Sequence, residues 1–287
     1  MRNLLLFENF GNEELKPLTY YSFDVDDNLL YMTTKIHMEH LVDGKWVDEM
    51  VDTEKFAKIR SDSANWRYLT THGGQGSFME FRDWGKNGNL TFLKDFQFAV
   101  LNKRFAPSWN KFIECLVNGH IFSIITSRGH APESIRLAIY WLLYEYGIDN
   151  FRNLPLKGVD KHESLEDQMI QNLLSYHELF GSEPDDVIAQ YINLCPIYTI
   201  TSPYFINNFG EYPAEKAKKI ALRDFNNVVK GYAKDMGVEA EYGFSDDDPK
   251  FVKAAVEEFM ELSKKNKNLK YSVFDTGGDR KIKRIKF

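Results

Sequence analysis

Cysteine is scarce in this chain, which has 287 residues and only two cysteines, Cys115 and Cys195. The two lie far apart in apolar segments, so they support neither a disulfide framework nor a thiolate metal site. We therefore predict two buried thiols in a protein that works in a reducing compartment.

Long hydrophobic runs are also lacking. No apolar stretch approaches the roughly 20 residues that a membrane-spanning helix needs. The apolar start at residues 1–7 is interrupted by Glu8 and is too short for a signal peptide. We therefore expect no membrane partner and a cytoplasmic location.

Positive charge is not in excess, because the formal net charge is -6. This balance argues against a general nucleic-acid binder, although it leaves room for a local basic groove. The basic run at 280–286 is one such local concentration, and its favoured interpretation is a solvated tail or an edge strand.

What the chain does contain is typical of a globular protein, with 15% aromatic and 27% charged residues. Its length suits one main domain with a sizeable insertion, or two domains. From about Ala106 onward, apolar strands alternate with helices, and the strand at 120–126 is apolar enough for a parallel sheet covered on both faces. We therefore predict an α/β fold.

A short apolar run at 20–23 ends abruptly in Asp24, Asp26 and Asp27. Asp24 and Asp26 are two residues apart, so they share one side of the strand if the extended conformation persists. The carboxyl end of a central strand is where open α/β sheets bind ligands, and two close carboxylates invite a divalent cation such as Mg²⁺. This pattern suits phosphoryl transfer, in which one carboxylate attacks phosphorus and the other handles the leaving-group proton.

Three later segments carry polar groups at element ends. The strand at 120–126 delivers Thr126 and Ser127 to the start of a helix, which is a natural anion site. The helix at 213–236 begins with several lysines, and a cation near a helix start often meets an anion. The strand before 249 ends in three consecutive aspartates, which is more than a helix cap needs.

Residues 31–98, between the first acidic cluster and the later α/β elements, do not show the same alternation of strands and helices. Alternating residues around Asp43 and Gly44 predict a β-hairpin. His37 and His40 would face opposite sides of its strand, which disfavours a shared metal. The Gly-rich stretch at 71–77 lacks the lysine of a P-loop, so a surface loop is favoured over a phosphate cradle.

Taken in order, these segments resemble the haloacid dehalogenase-like (HAD) superfamily. Four motifs match in sequence and position: Phe-Asp-Val-Asp-Asp-Asn at 23–28, Ile-Ile-Thr-Ser-Arg at 124–128, Lys216 with Ile220 four residues on, and Phe-Ser-Asp-Asp-Asp at 244–248. The resemblance implies a Rossmann-like parallel sheet formed by residues 1–30 and 99–287. It leaves 31–98 as a cap inserted directly after the first motif, and 148–195 as a second, smaller insertion.

The resemblance also implies a role for each motif residue. Asp24 would be the nucleophile, and Asp26 the general acid and base with its main-chain carbonyl on one Mg²⁺. The implied metal set is the four aspartates Asp24, Asp26, Asp246 and Asp247. The implied phosphate-binding groups are Thr126, Ser127 and Lys216, with Lys218 or Lys219 as alternatives to Lys216.

Two features refine the expected activity. Asn28 stands where the family usually has Thr or Val, and Asp27 stands where the family frequently has Gly. These two departures weaken any subfamily assignment. The family's dehalogenases lack the second acid and its P-type ATPases replace it, whereas its phosphatases and phosphomutases retain it. Asp26 therefore favours hydrolysis of a phosphate monoester, with a small phosphorylated metabolite preferred to a nucleic-acid end as substrate.

Alternatives stay open at this stage. The chain could be a catalytically silent binding or regulatory module, or a phosphomutase. Aromatic residues of the predicted cap could stack on a base or sugar, although a role as the cap's own core is favoured: they are Trp66, Tyr68, Phe78, Phe81 and Trp84. The sequence indicates no oligomeric state.

Overall fold

The structure is a computed structural model that describes residues 18–71, 75–84, 87–176, 183–278 and 282–287. Residues 1–17 of the predicted core, 72–74 of the Gly-rich stretch and 280–281 of the basic run lie outside these ranges. Within them, no helix has the length and apolar character required to cross a bilayer.

The strands of the described residues are short to medium in length. In chain order they are β1 (Leu18–Phe23), β2 (Ile36–Val42), β3 (Lys45–Val51), β4 (Trp66–Tyr68), β5 (Phe122–Thr126), β6 (Ile197–Thr199), β7 (Ala240–Asp246), β8 (Leu269–Asp275) and β9 (Lys283–Lys286).

The α-helices of the same residues include one long helix before β7. In chain order they are α1 (Thr53–Ile59), α2 (Thr91–Leu101), α3 (Trp109–Val117), α4 (Pro132–Tyr140), α5 (Leu165–Tyr176), α6 (Pro184–Leu194), α7 (Pro203–Phe209), α8 (Ala214–Met236) and α9 (Pro249–Lys265). A π-helical turn, Trp141–Gly147, continues α4.

The main sheet has the strand order β6-β5-β1-β7-β8-β9. All of its pairings are parallel except that of β9, which runs antiparallel to β8. The predicted α/β fold with a mostly parallel sheet is therefore confirmed, as is the edge strand in the basic run. Because β5 and β7 flank β1, the carboxyl ends of three strands meet at one edge of the sheet.

Strand alternation decides which helix each side of β1 meets. Phe23 packs edge-on against Phe112 of α3, with ring centroids 5.6 Å apart. On the other face, the ring of Tyr20 stacks on Tyr232 of α8 at 6.4 Å. Because Asp24 is four residues after Tyr20, the period of two directs its side chain to the α8 face.

Helices α5 and α6 pack on the main hydrophobic core, to which they contribute Leu173 and Ile188. Helices of the predicted insertion at 148–195 thus contribute side chains to the main hydrophobic core, and the chain then continues into β6. The two cysteines lie in the same core as free, buried thiols, as predicted. Burial raises the pKa of Cys115 and of Cys195 to about 12.

The small sheet has the order β3-β2-β4 and is antiparallel. Asp43 and Gly44 both have positive φ, +50° and +73°, which is the conformation that a two-residue hairpin turn of type I′ requires. The predicted hairpin is therefore confirmed.

The region 36–81 has a hydrophobic core of its own, whose buried members are Ile36, Met38, Val51, Trp66 and Phe81. Helix α2, by contrast, buries Phe92 and Phe96 in the main core. The separate core of the inserted unit therefore extends only to Phe81, whereas the predicted boundary was residue 98.

Asn28 ties the strand ends together from the turn after β1. Its side chain has no exposed surface. Its Nδ2 donates to the main-chain oxygen of Asp24 at 2.9 Å and to Ser245 Oγ at 3.1 Å. Its Oδ1 accepts from Ser108 Oγ and from Thr276 Oγ1, both at 2.9 Å. One amide thus joins the ends of β1, β7 and β8 to the start of α3.

Replacing Asn28 should destabilise the fold. In Asn28→Leu the buried partners lose their bonds, and since an unsatisfied buried polar group costs about 1–3 kcal/mol, we expect the free energy of unfolding to fall by roughly 2–4 kcal/mol. Urea denaturation measures this change. The control Asn208→Ala removes an exposed amide and should change stability by less than about 0.5 kcal/mol. Equal effects for the two variants would contradict the structural role of Asn28.

Candidate active site

Asp24 extends β1 by one residue, because its main-chain N–H donates to the carbonyl of Ser245 at 3.1 Å. Its carboxylate is buried on the α8 face of the sheet. There Lys218 Nζ donates to Asp24 Oδ1 at 2.9 Å and also to Asp246 Oδ2. A single buried ammonium therefore bridges the ends of β1 and β7.

The lysine that contacts these carboxylates is Lys218, which the sequence offered as an alternative to the preferred Lys216. Lys216 is exposed, with Nζ 4.3 Å from the ring centroid of Tyr212. Two residues turn a helix by roughly 200°, so Lys216 and Lys218 lie on opposite sides of α8. Lys219 pairs with Glu257 at the surface.

Helical spacing explains why Lys218 is buried. It lies seven residues before Phe225, so both belong to one stripe of α8. Phe225 packs edge-on against Tyr242 of β7 at 5.3 Å, and Asp246 lies four residues after Tyr242 on the same face of that strand. The ammonium group of Lys218 also lies over the ring of Phe251, with Nζ 3.9 Å from the ring centroid.

The carboxylates at this position are crowded. One oxygen from each of Asp24, Asp246 and Asp247 lies within 4.8 Å of the others. Within the described ranges this is the one group of three or more His, Cys, Asp or Glu residues close enough to share a metal ion. Asp246 Oδ1 is fixed by the main-chain N–H of Asp248 at 3.0 Å.

Burial and like charge act together on these aspartates. Burial raises the pKa of Asp24, and the Asp246 carboxylate adds to the rise while Lys218 opposes it. The pKa of Asp247 is raised by burial and then by Asp246 and Asp24. Burial lowers the pKa of Lys218, but Asp24 and Asp246 outweigh that effect and raise it above its ordinary value. Three carboxylates around one ammonium leave an excess of negative charge that favours a bound cation or proton.

The side chain of Asp26 is not part of this carboxylate group, and the expected role of its main-chain carbonyl on a metal stays a prediction. Arg128 Nε donates to Asp26 Oδ2 at 2.8 Å, and Arg128 Nη2 donates to Asp26 Oδ1 at 2.7 Å. The alternation that would have placed Asp26 beside Asp24 ends with β1, because the chain then turns and Leu29 N–H donates to the carbonyl of Val25 at 2.9 Å.

The hydroxyl residues of β5 lie beside this pair. Thr126 is buried, and its Oγ1 accepts from the main-chain N–H of Arg128 at 3.3 Å. Ser127 is exposed, and its carbonyl accepts from Thr201 Oγ1 at 2.9 Å. Both residues are at the predicted strand end.

The start of α4, a predicted anion site, binds the carboxylate of Asp83. Asp83 Oδ2 accepts from the main-chain N–H of Ala131 at 2.7 Å, and Asp83 Oδ1 accepts from Ser134 Oγ at 2.9 Å. The neighbouring Gly129 donates its N–H to the carbonyl of Phe81 at 2.9 Å. A Cβ at Gly129 would lie 2.8 Å from the guanidinium carbon of Arg82, so a larger residue there would displace the end of that side chain.

Most of the inserted aromatic residues form the unit's own core, as favoured from the sequence. Trp66 and Phe81 are buried, and Phe78 packs against them. Tyr68 and Trp84 are more exposed, at 43% and 47%. His37 and His40 pair with different carboxylates, Glu80 and Glu49.

Comparisons with protein-family models, with curated proteins and with solved structures found no match to this chain. The chemistry of the site therefore rests on its own residues. Buried carboxylates, a buried ammonium and nearby hydroxyl groups can together bind a cation and an anion and can supply an oxygen nucleophile.

Removing the buried ammonium should destabilise the protein. Lys218→Met leaves the buried carboxylates of Asp24 and Asp246 without their cation, and breaking a buried ion pair costs about 3–5 kcal/mol. Lys216→Met is the matched control two residues away, and its effect should be below about 0.5 kcal/mol. Urea unfolding without divalent cations compares the two, and similar losses would contradict the position of Lys218.

His130 lies next to this site as a buried imidazole. It has no exposed surface, and neither ring nitrogen has a hydrogen-bond partner in the described part of the chain. Its ring packs edge-on against Phe92 at 5.6 Å. Burial, followed by the positive charges of Arg128 and Arg82, lowers the pKa of His130 to about 2. The histidine is therefore neutral in the folded protein.

This neutral histidine predicts a pH dependence of stability. The unfolded chain takes up a proton near pH 6.5 and the folded protein does not, so stability present above pH 6.5 is lost as the pH falls. Between pH 7 and pH 5 the stability of the wild type relative to His130→Phe should decline by about 2 kcal/mol. Urea denaturation at both pH values measures the difference. The exposed control His162→Phe should show no such trend, and a pH-independent difference for His130→Phe would refute the assignment.

Proposed function

We propose that this chain is a HAD-type phosphatase that hydrolyses a phosphate monoester with the help of Mg²⁺. The observation that supports the proposal most is the buried group at the ends of β1 and β7, in which Lys218 bridges Asp24 and Asp246 with Asp247 beside them. Nucleophile, cationic group and metal-binding carboxylates are the parts that phosphoryl transfer requires.

Asp24 is the nucleophile in this proposal. It ends the central strand, and its main chain is fixed by Ser245 and by Asn28. A carboxylate held in this way can attack phosphorus with little reorganisation, and the resulting aspartyl phosphate divides hydrolysis into two steps.

The donor set fits Mg²⁺. Carboxylate oxygens are the ligands that this ion prefers, and the negative charge around Asp24, Asp246 and Asp247 exceeds what Lys218 neutralises. These three residues would hold the ion, with the main-chain carbonyl of Asp26 as the further ligand that the family resemblance implies. When bound, Mg²⁺ would neutralise negative charge that develops on the phosphoryl group.

The remaining polar groups would bind the phosphoryl oxygens. Thr126 ends the neighbouring strand β5, Ser127 follows it, and Lys218 already lies against the nucleophile. In a protonated state Lys218 spreads the negative charge of the transferring group.

The unit 36–81 would act as a cap beside the strand ends. Thr53 Oγ1 of α1 donates to Asp27 Oδ2 at 2.6 Å, and Arg60 Nη1 donates to Asp248 Oδ2 at 3.2 Å. Its aromatic residues are largely used in its own core. A small phosphorylated metabolite is therefore the proposed substrate, in preference to a nucleic-acid end.

The test is phosphate release from an aryl phosphate with and without Mg²⁺. We expect release by the wild type that requires the metal, and a loss of at least about 10³-fold in Asp24→Asn, because the amide cannot act as the nucleophile. Asp48→Asn changes an exposed aspartate on β3 and should retain full activity.

Other outcomes favour the alternatives. Mg²⁺ binding without release of phosphate from any ester would favour a binding module. Transfer that depends on an added sugar bisphosphate would favour a phosphomutase. Rates that fall steeply with salt would favour a nucleic-acid end as the substrate.

A further inference from the structure

The small sheet ends in an open strand. β3 has seven residues and pairs with β2 on one side, and in the described part of the chain no strand covers its other side. It is longer than either edge strand of the main sheet. Two of its apolar side chains are exposed, Val47 at 49% and Met50 at 63%. A long open edge with exposed apolar side chains is a template for a further strand.

The hairpin turn fixes which main-chain groups of β3 face the open side. Val42 and Lys45 flank the two-residue turn, and residues in that position exchange both of their main-chain hydrogen bonds. Hydrogen-bonded and non-hydrogen-bonded pairs alternate along the ladder from there. The N–H and C=O groups of Trp46, Asp48 and Met50 therefore point away from β2.

Strand β2 shows the same alternation on its own outer side. Leu41 lies opposite Trp46 in the ladder, and its N–H donates outward to the carbonyl of Asn65 at 2.8 Å. No residue in the described ranges supplies a main-chain hydrogen bond to the outward groups of Trp46, Asp48 or Met50. Unpaired donors and acceptors along a strand are the groups that the addition of another strand satisfies.

A second copy of β3 meets these groups in antiparallel, two-fold pairing. The outward groups bond one another only in registers that set even-numbered residues opposite even-numbered ones. With the axis at Val47, Trp46 lies opposite Asp48 of the second copy, and the two such pairs form four main-chain hydrogen bonds. The two Val47 side chains then meet at the axis, and the exposed Met50 lies diagonal to Trp46 of the second copy.

Charge selects this register from its neighbours. In it Lys45 lies opposite Glu49 of the second copy, so two pairs of opposite charge flank the axis. Moving the axis to Asp48 or to Glu49 sets that carboxylate opposite its own copy. Moving it to Trp46 sets Asp43 opposite Glu49. Like charges directly opposite each other destabilise a sheet, whereas opposite charges stabilise it.

The two charged groups are accessible for these contacts. Lys45 is exposed, and the side chain of Glu49 is 35% exposed. Glu49 also contacts Lys55 and lies 3.3 Å from His40 Nδ1. A carboxylate accepts several hydrogen bonds at once, so these contacts leave room for a further ammonium group.

We propose that this protein forms a homodimer in which β3 pairs antiparallel with β3 of a second copy, with the two-fold axis at Val47. The three-stranded sheets of the two copies then join into one continuous sheet. The proposal concerns a surface of the inserted unit, and it holds whether or not the acidic site is a phosphatase.

Sedimentation equilibrium of the full chain over a concentration series measures the association. We expect the wild type to follow an equilibrium between monomer and dimer, and to grow no further because two-fold pairing uses up the edge. The mass of a single chain at every concentration would overturn the proposal, and so would growth beyond a dimer.

Lys45→Glu and Glu49→Lys test the register. Either change sets like charges opposite each other twice, so the dissociation constant of each variant alone should rise by about tenfold or more. An equal mixture of the two variants restores opposite charges at both positions, so a mixed dimer should form with nearly the wild-type constant. Lys58→Glu makes the same charge change at an exposed site on α1 and should have no effect. Wild-type association of the single variants, or a mixture that fails to associate, would overturn the proposal.

Asp48→Pro tests the main-chain bonds. It removes an outward N–H and leaves the ladder with β2 intact, because proline is tolerated where the N–H of an edge strand faces solvent. Two of the four bonds across the axis are lost, so dimer should disappear at concentrations that suffice for the wild type, while the circular dichroism spectrum is unchanged. Undiminished association would contradict the pairing. If this variant fails to fold, the mixed charge variants still decide.

Val47→Cys tests the position of the axis. Facing residues of a non-hydrogen-bonded antiparallel pair have Cα atoms about 4.5 Å apart, which is within disulfide range. Mild oxidation should therefore link two copies of Val47→Cys, and the two native cysteines are buried and should not take part. Val42→Cys replaces an exposed valine on β2, away from the axis, and should stay unlinked. Equal yields of linked dimer from the two variants would overturn the proposed axis.

Discussion

The constraint on which this structure depends is the gathering of three carboxylates, two of them buried, around one buried ammonium group. Each ion loses hydration on entering the protein, and Lys218 compensates only part of the charge on Asp24, Asp246 and Asp247. Such a group persists only where the surrounding fold holds it together. The packed sheet and its helices therefore supply the stability that the site itself lacks.

The support is built mainly from the main chain and from neutral side chains. Parallel pairing of β1 with β5 and β7 brings the strand ends into one place, and Asn28 joins the ends of β1, β7 and β8 to the start of α3 through four hydrogen bonds. A neutral amide can satisfy donors and acceptors at once without adding charge to an already acidic site. In this position Asn28 does what neither an aspartate nor an apolar residue could do.

The sequence predicts the strand ends well because strands and their polar termini are local patterns. The apolar runs before Asp24, Thr126 and Asp246 all proved to be neighbouring strands of the sheet. Motif spacing favours Lys216, but the lysine that contacts Asp24 is Lys218, because the phase of the helix decides which side chain is buried. Lys218 lies seven residues before the buried Phe225, and this signal is visible in the sequence.

Other features of the structure could not be predicted from local sequence patterns. The direction of the Asp26 side chain depends on a turn that begins where β1 ends, and its partner Arg128 is 102 residues away. Asp83 at the start of α4 and the allocation of α2 to the main core likewise depend on tertiary packing. Pairings between distant segments carry no periodic signature, so periodicity cannot reveal them.

The two edges of the main sheet have a consequence for self-association. Among the residues that the structure describes, the last strand on one side is β6, which has only three residues. On the other it is β9, a four-residue antiparallel strand with the sequence Lys-Arg-Ile-Lys. Short strands and closely spaced positive charges make poor templates for a second chain, since edge-to-edge addition needs a long, flat and uncharged row of open hydrogen-bonding groups. The sheet that gathers the acidic site is thus protected at both ends against growing into an aggregate.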